Sequence, residues 1–160
     1  MLNTSEMIVG SMDSKRVFDY TMIGDAANLA SRLEGANKLY NTFLMISEST
    51  CNALTPDRFR TRLLDVIKVK GKSEAVKVFE VYGHTCDAVL PEDEQYYQTY
   101  QRGVEAYPGR NFTTALEYFA AALQLRHNYP AAKWLISRIV ALNPDDLPKE
   151  WDGSIELTSK

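Results

Sequence analysis

The 160-residue sequence has little of what marks several protein classes. Its two cysteines, Cys51 and Cys86, lie far apart and fit neither a CxxC metal motif nor a disulfide-dense secreted scaffold, which points to a reducing, cytoplasmic setting. The two histidines, His84 and His127, are isolated and argue against an imidazole-built metal site. No apolar stretch approaches the roughly 20 residues that span a bilayer, and no basic segment followed by an apolar run opens the sequence. Any membrane anchor would belong to a longer parent. Basic runs are absent too: 18 Lys and Arg against 21 Asp and Glu leave a net charge of -3, and nucleic acid is not an expected partner.

What is present is enough apolar content, 45%, to bury a core. Residues 7–12 and 16–22 are rich in Val, Ile, Met, Phe, Tyr and Thr, and the polar break at Asp13-Ser14-Lys15 predicts a hairpin turn. Gly24-Asp25 ends the second strand and caps a helix over residues 26–39, whose apolar stripe is Leu29, Leu33, Ala36 and Tyr40. "TFLMISES", residues 42–49, reads as a short buried strand, with a short helix starting near Ser47 or Glu48. Residues 63–69 and 75–82 form a second hairpin around Lys70-Gly71-Lys72-Ser73.

The pattern changes at about His84. An irregular acidic link leads into helices over residues 92–107, 112–126 and 131–142, separated by Pro108-Gly109 and Tyr129-Pro130. The expected organisation is an α+β unit over residues 1–83, a linker over 84–91 and a helical extension over 92–160. Within the extension Gly103, Ala115, Phe119 and Ala122 have the small-and-large spacing of a tetratricopeptide-like helix pair. One such pair cannot bury its stacking face alone, so it leans on the third helix, the α+β unit or another chain. Trp134 and Trp151 are expected to be packing anchors.

One polar pair stands out. Asn28 and Arg32, at i and i+4, share a helix face and can reach one ligand group, although such spacing alone is also common in surface pairs of no consequence. Their context carries more: "NTSEMIVG", "FDYTMIGDAANLASRLE" and "IKVKGK" follow one another in an order that resembles the second half of the class III adenylate/guanylate cyclase catalytic domain. The resemblance covers about residues 2–83. It implies a partial cyclase domain of ferredoxin-like α+β fold, and a family reaction in which ATP becomes cyclic AMP and pyrophosphate.

The resemblance also implies roles. Asn28 falls on the asparagine that orients the ribose, and Arg32 on the arginine that stabilises charge developing on the α-phosphate. A guanidinium suits that task, because its planar fork of donors matches phosphate oxygens. Lys70 matches a lysine that contacts the triphosphate, with Lys72 a second nearby cation. Thr21 falls on a base-reading position, where a hydroxyl that donates and accepts is compatible with adenine. Asp25 is read as a helix cap.

The family's metal-binding aspartates lie in the first half of its domain, which the matched segment does not include. Mg2+ or Mn2+ is therefore expected for the intact enzyme, with ligands from outside this chain, and the chain alone is expected to be inactive. Family members act as antiparallel dimers with aspartates from one chain and the Asn/Arg pair from the other. The implied partners are ATP and a second copy or an intact cyclase chain. Ser5, Ser11 and Asp13 replace residues that are usually Gly, Asn and Gly, and Ala27 a usual Val, which alters the first hairpin. "WDGSIELTSK" resembles the tail of some bacterial adenylate cyclases. The competing reading is a non-catalytic protein-interaction or regulatory module that uses its helical extension to bind a protein partner.

Overall fold

The computed structural model describes residues 1–6, 8–14, 17–23, 25–69, 74–126 and 129–157. The fold is α+β. Strands β1 (Ile8–Ser14) and β2 (Val17–Ile23) form an antiparallel hairpin, then come helix α1 (Asp25–Tyr40), strand β3 (Met45–Ser47), helix α2 (Glu48–Asn52), strands β4 (Phe59–Val69) and β5 (Ala75–His84), helices α3 (Pro91–Ala106), α4 (Phe112–Leu125) and α5 (Pro130–Ala141), and strand β6 (Ile155–Leu157). Among the described residues, no helix is long and apolar enough to cross a membrane.

The first hairpin differs from expectation at its turn. Asp13 and Ser14 continue β1 and pair with Phe18 and Val17, so the polar break contributes two paired residues. Alternation lets a polar residue remain in a strand where only one face is apolar. Lys15, Arg16 and Gly24 lie outside the described residues.

Helix α1 follows its apolar stripe. Leu33, Ala36 and Tyr40 are buried and Leu29 packs against them. The helix ends where Asn41 adopts a left-handed φ of 48° and returns its amide to the Asn37 carbonyl at 2.8 Å. Ser47 closes the fully buried β3 and caps α2 by accepting the Thr50 amide at 3.4 Å.

The main sheet has the order β3-β5-β4-β6, antiparallel except for the parallel β4–β6 pair. The register of β4 against β5 shifts between Leu63 and Asp65. This bulge re-phases the strand, so that Arg62 and Leu64 before it and Asp65 and Ile67 after it are all buried. The Leu64 carbonyl at the bulge accepts the Tyr100 hydroxyl at 3.0 Å.

The helices pack on the sheet. Proline at N1 starts α3 and α5, and Glu92, Asp93 and Glu94 complement the α3 N-terminus. Helices α3 and α4 meet where Gly103 faces the Phe119 ring; a Cβ on Gly103 would come within 2.7 Å of it. One buried cluster runs from Leu33 and Tyr40 through Leu64 and Val78 to Tyr100, Phe119 and Leu135. The stacking face of the α3–α4 pair is thus covered by α5 and β4.

The last described residues form a strand, not a helix. Ile155, Glu156 and Leu157 pair in parallel with Ile67, Lys68 and Val69. A β-branched residue beside an open sheet edge suits that pairing. Gly153, at φ 84°, turns the chain against Pro108, and Trp151 packs edge-on to Tyr107 at 5.0 Å. Trp134 also packs against the core.

Candidate functional site

The stripe that seats α1 fixes which face is left outward. Asn28 and Arg32 are both exposed, one turn apart, and about 6 Å separates them along the helix axis. The structure therefore brings these two side chains onto one accessible face. Thr21 is in β2, paired with Gly10, and its side chain lies outside the described part. Lys70 and Lys72 also lie outside the described residues, between the end of β4 at Val69 and the start of β5 at Ala75.

A cavity of about 330 Å³ opens between α1, α2 and the start of β5. Leu29, Ser47, Glu48, Asn52 and Ala75 are among its walls, while Asn28 and Arg32 are not. It adjoins the helix that carries the pair and the strand that begins at Ala75. Among the described residues, no group of three or more His, Cys, Asp or Glu side chains has the arrangement to hold a metal ion. The donor set of the described residues thus does not fit the divalent cation that the resemblance implies. His84 makes an edge contact with the Phe59 ring, while His127 lies outside the described residues.

Two buried ion pairs escaped the sequence reading. Arg62 of β4 stands opposite Glu80 of β5 and donates from Nε to Oε2 at 2.7 Å, with both side chains almost fully buried. The Tyr129 hydroxyl donates to both Glu80 oxygens, at 2.6 and 2.8 Å. Burial opposes the Arg62 charge, yet Glu80 and the surrounding tyrosines hold its pKa above the ordinary value. Burial pushes the Tyr96 phenol up to about 12 and the Tyr129 phenol higher still, the latter reinforced by Glu80.

The second pair is Asp65 of β4 with Arg138 of α5. Arg138 donates to both carboxylate oxygens, Nη2 to Oδ1 at 2.9 Å, and Tyr40 at the end of α1 donates its hydroxyl to Oδ2 at 2.5 Å. The Val66 amide adds a bond to Oδ1 at 2.8 Å. Burial first, then the Asp65 charge, raises the Tyr40 pKa well above its ordinary value, so the phenol is a donor throughout the neutral range. The signal in the sequence was charge set within apolar runs, Arg62, Asp65 and Lys68 in "RLLDVIKV" and Arg138 in "LISRIVAL".

Comparison with known proteins gives three informative similarities. The chain is 33% identical over 129 residues to "Adenylate cyclase, terminal-differentiation specific" of Dictyostelium discoideum, covering 79% of this chain and 6% of that protein. It is 40% identical over 82 residues to the adenylate cyclase of Anabaena cylindrica, covering 50% of this chain and 16% of that one. It is also 40% identical over 82 residues to adenylate cyclase 1 of Rhizobium meliloti (strain 1021), covering 51% of this chain and 12% of the relative. The chain thus spans between 6% and 16% of the length of these relatives. The first similarity is longer than the α+β segment through Gly83 and must run into the helices. No family model matches the chain.

Proposed function

We propose, for a chain that carries a class III adenylate cyclase-like region, that it supplies one half of a nucleotide cyclase site. In this reading Asn28 orients the ribose of ATP and Arg32 stabilises the transition state. The ribose 3'-oxygen attacks the α-phosphorus and loses its proton, the bond from that phosphorus to the bridging oxygen of the β-phosphate breaks, and cyclic AMP and pyrophosphate form. Negative charge shifts across the α-phosphate as this happens. A guanidinium held there by a rigid helix stabilises it without reorganising.

Thr21 is read as a contact to the base, and Lys70, with Lys72 beside it, as contacts to the triphosphate. ATP is favoured over GTP because the threonine hydroxyl suits adenine and the similar proteins are named adenylate cyclases. The divalent cation, Mg2+ or Mn2+, would be held by carboxylates of a partner chain, either a second, longer copy or an intact cyclase. The reading also has the chain inactive alone and working in the cytoplasm.

The observation that carries the reading is the exposed Asn28 and Arg32 pair on α1, held outward by a buried apolar stripe within the cyclase-like region. The test is cyclic AMP production from ATP with Mn2+, for the chain alone and mixed with a cyclase domain that keeps its aspartates but lacks its Asn/Arg pair. Activity in the mixture and none in either component is the expected result. Activity of the chain alone refutes the half-site, and silence of a folded mixture refutes the catalytic assignment.

A further inference from the structure

A half-site of this kind depends on how α1, which carries Asn28 and Arg32, is seated on β4, which ends at Val69, the residue before Lys70 in sequence. Part of that seating is apolar, since Leu33 and Ala36 of α1 share the core with Leu64 and Ile67 of β4. Apolar burial is non-directional, so it favours contact without supplying a hydrogen-bonded register. The directional link is at the other end of α1. There Tyr40 donates to Asp65, and Asp65 is gripped through both oxygens by Arg138 from the helical extension.

The link is built to be specific. Tyr40, Asp65 and Arg138 are 0%, 2% and 9% exposed. The β4 bulge turns Asp65 to the side of α1 and α5, and Asp65 bonds Tyr40, Arg138 and the Val66 amide together. A slip of α1 by one residue would leave a buried carboxylate short of a donor, so the polar contact adds its own selection for one seating to that of the packing. A second tether from the same extension is β6, which pairs with Ile67, Lys68 and Val69 at the end of β4.

We propose that Tyr40, Asp65 and Arg138 form a positioning triad by which the helical extension locks the helix bearing Asn28 and Arg32 onto the strand leading to Lys70. Arg138, about a hundred residues from the pair in sequence, is then a positioning residue for it. The extension is part of the machinery that sets the half-site, whatever else it binds. The kinetic part of this inference rests on the cyclase reading, and the geometric part does not.

The test uses the full chain with Cys51→Ser and Cys86→Ser, and nitroxide labels at Ser31→Cys on α1 and Glu74→Cys beside β5, both exposed positions. Pulsed electron resonance reads the distance distribution between them. Tyr40→Phe, which keeps the ring and the ion pair, is expected to broaden or shift a single narrow distribution, and Arg138→Met to do so further. Glu117→Gln on the exposed side of α4 leaves it unchanged.

Should Arg138→Met not fold, Tyr40→Phe with an intact cooperative melt decides. In the mixed cyclase assay, Tyr40→Phe lowers kcat by about 10- to 100-fold with KM nearly constant. Folded variants with the parental distance distribution overturn the triad. So does an active parental mixture whose kcat the variants leave unchanged. If the parental mixture is silent, the cyclase reading falls while the distance measurement still decides the triad.

Discussion

The Arg62 guanidinium carbon lies 4.3 to 5.1 Å from the ring centroids of Tyr96, Tyr97, Tyr100 and Tyr129, a cage of π-faces that favours a buried cation. Glu80 neutralises it directly across the strand pair. Removing one partner of such a pair strands the other, at about 3–5 kcal/mol. Glu80→Ala is therefore expected to consume a large share of the roughly 5–15 kcal/mol typical of whole-domain stability. Denaturant unfolding measures it, and a loss under about 1 kcal/mol would show the pair to be dispensable. Neither charge was legible as a partner in the sequence, because their meeting depends on the β4–β5 register. Asn28 and Arg32 were legible because their separation is local to one helix and follows from its 3.6-residue period.

Elements with strong periodicity could be read directly: α1 from Leu29, Leu33, Ala36 and Tyr40, and the three later helices from their proline and glycine breaks. Two features could not. The bulge at Leu64 follows from pairing between strands, and β6 follows from a sheet edge formed far upstream in the chain. The α3–α4 contact combines both kinds of information, since the small residue was visible and the distance was not. Gly103→Ala would drive a methyl to within 2.7 Å of a Phe119 ring that is 0% exposed. Overpacking of this sort costs about 1–3 kcal/mol. Better helix propensity returns up to about 1 kcal/mol. A net loss of stability by thermal melting is expected, and a stabilised variant would mean that the helices separate freely.

The molecule as a whole is fastened by phenols. Tyr40, Tyr82, Tyr96, Tyr97, Tyr100, Tyr107 and Tyr129 all have pKa values raised above the ordinary 10.0, each chiefly through burial. Folding favours their protonated form, so above pH 10 the folded state keeps protons that the unfolded chain releases. The associated stability is complete below that pH and is lost as pH rises through the folded values, about 12 for Tyr96. Each of the fully buried phenols, Tyr40, Tyr96 and Tyr100, costs about 1.4 kcal/mol per pH unit in that window, and the more exposed ones cost less because solvent screens them. Tyrosinate absorbance and circular dichroism are expected to change together. Ionisation of all the tyrosines near pH 10 without unfolding would contradict the buried arrangement.

The same fastening joins the cyclase-like region to its helices through Asp65–Arg138, Glu80–Tyr129 and β6. The full chain is accordingly the unit in which to test catalysis. The decisive measurement is steady-state cyclic AMP formation by that chain mixed with the aspartate-bearing partner domain, comparing the parent with Arg32→Ala. Loss of a donor that acts on transition-state charge predicts a fall in kcat of about 100- to 1,000-fold with little change in KM. An Arg32→Ala mixture as active as the parent would contradict the account.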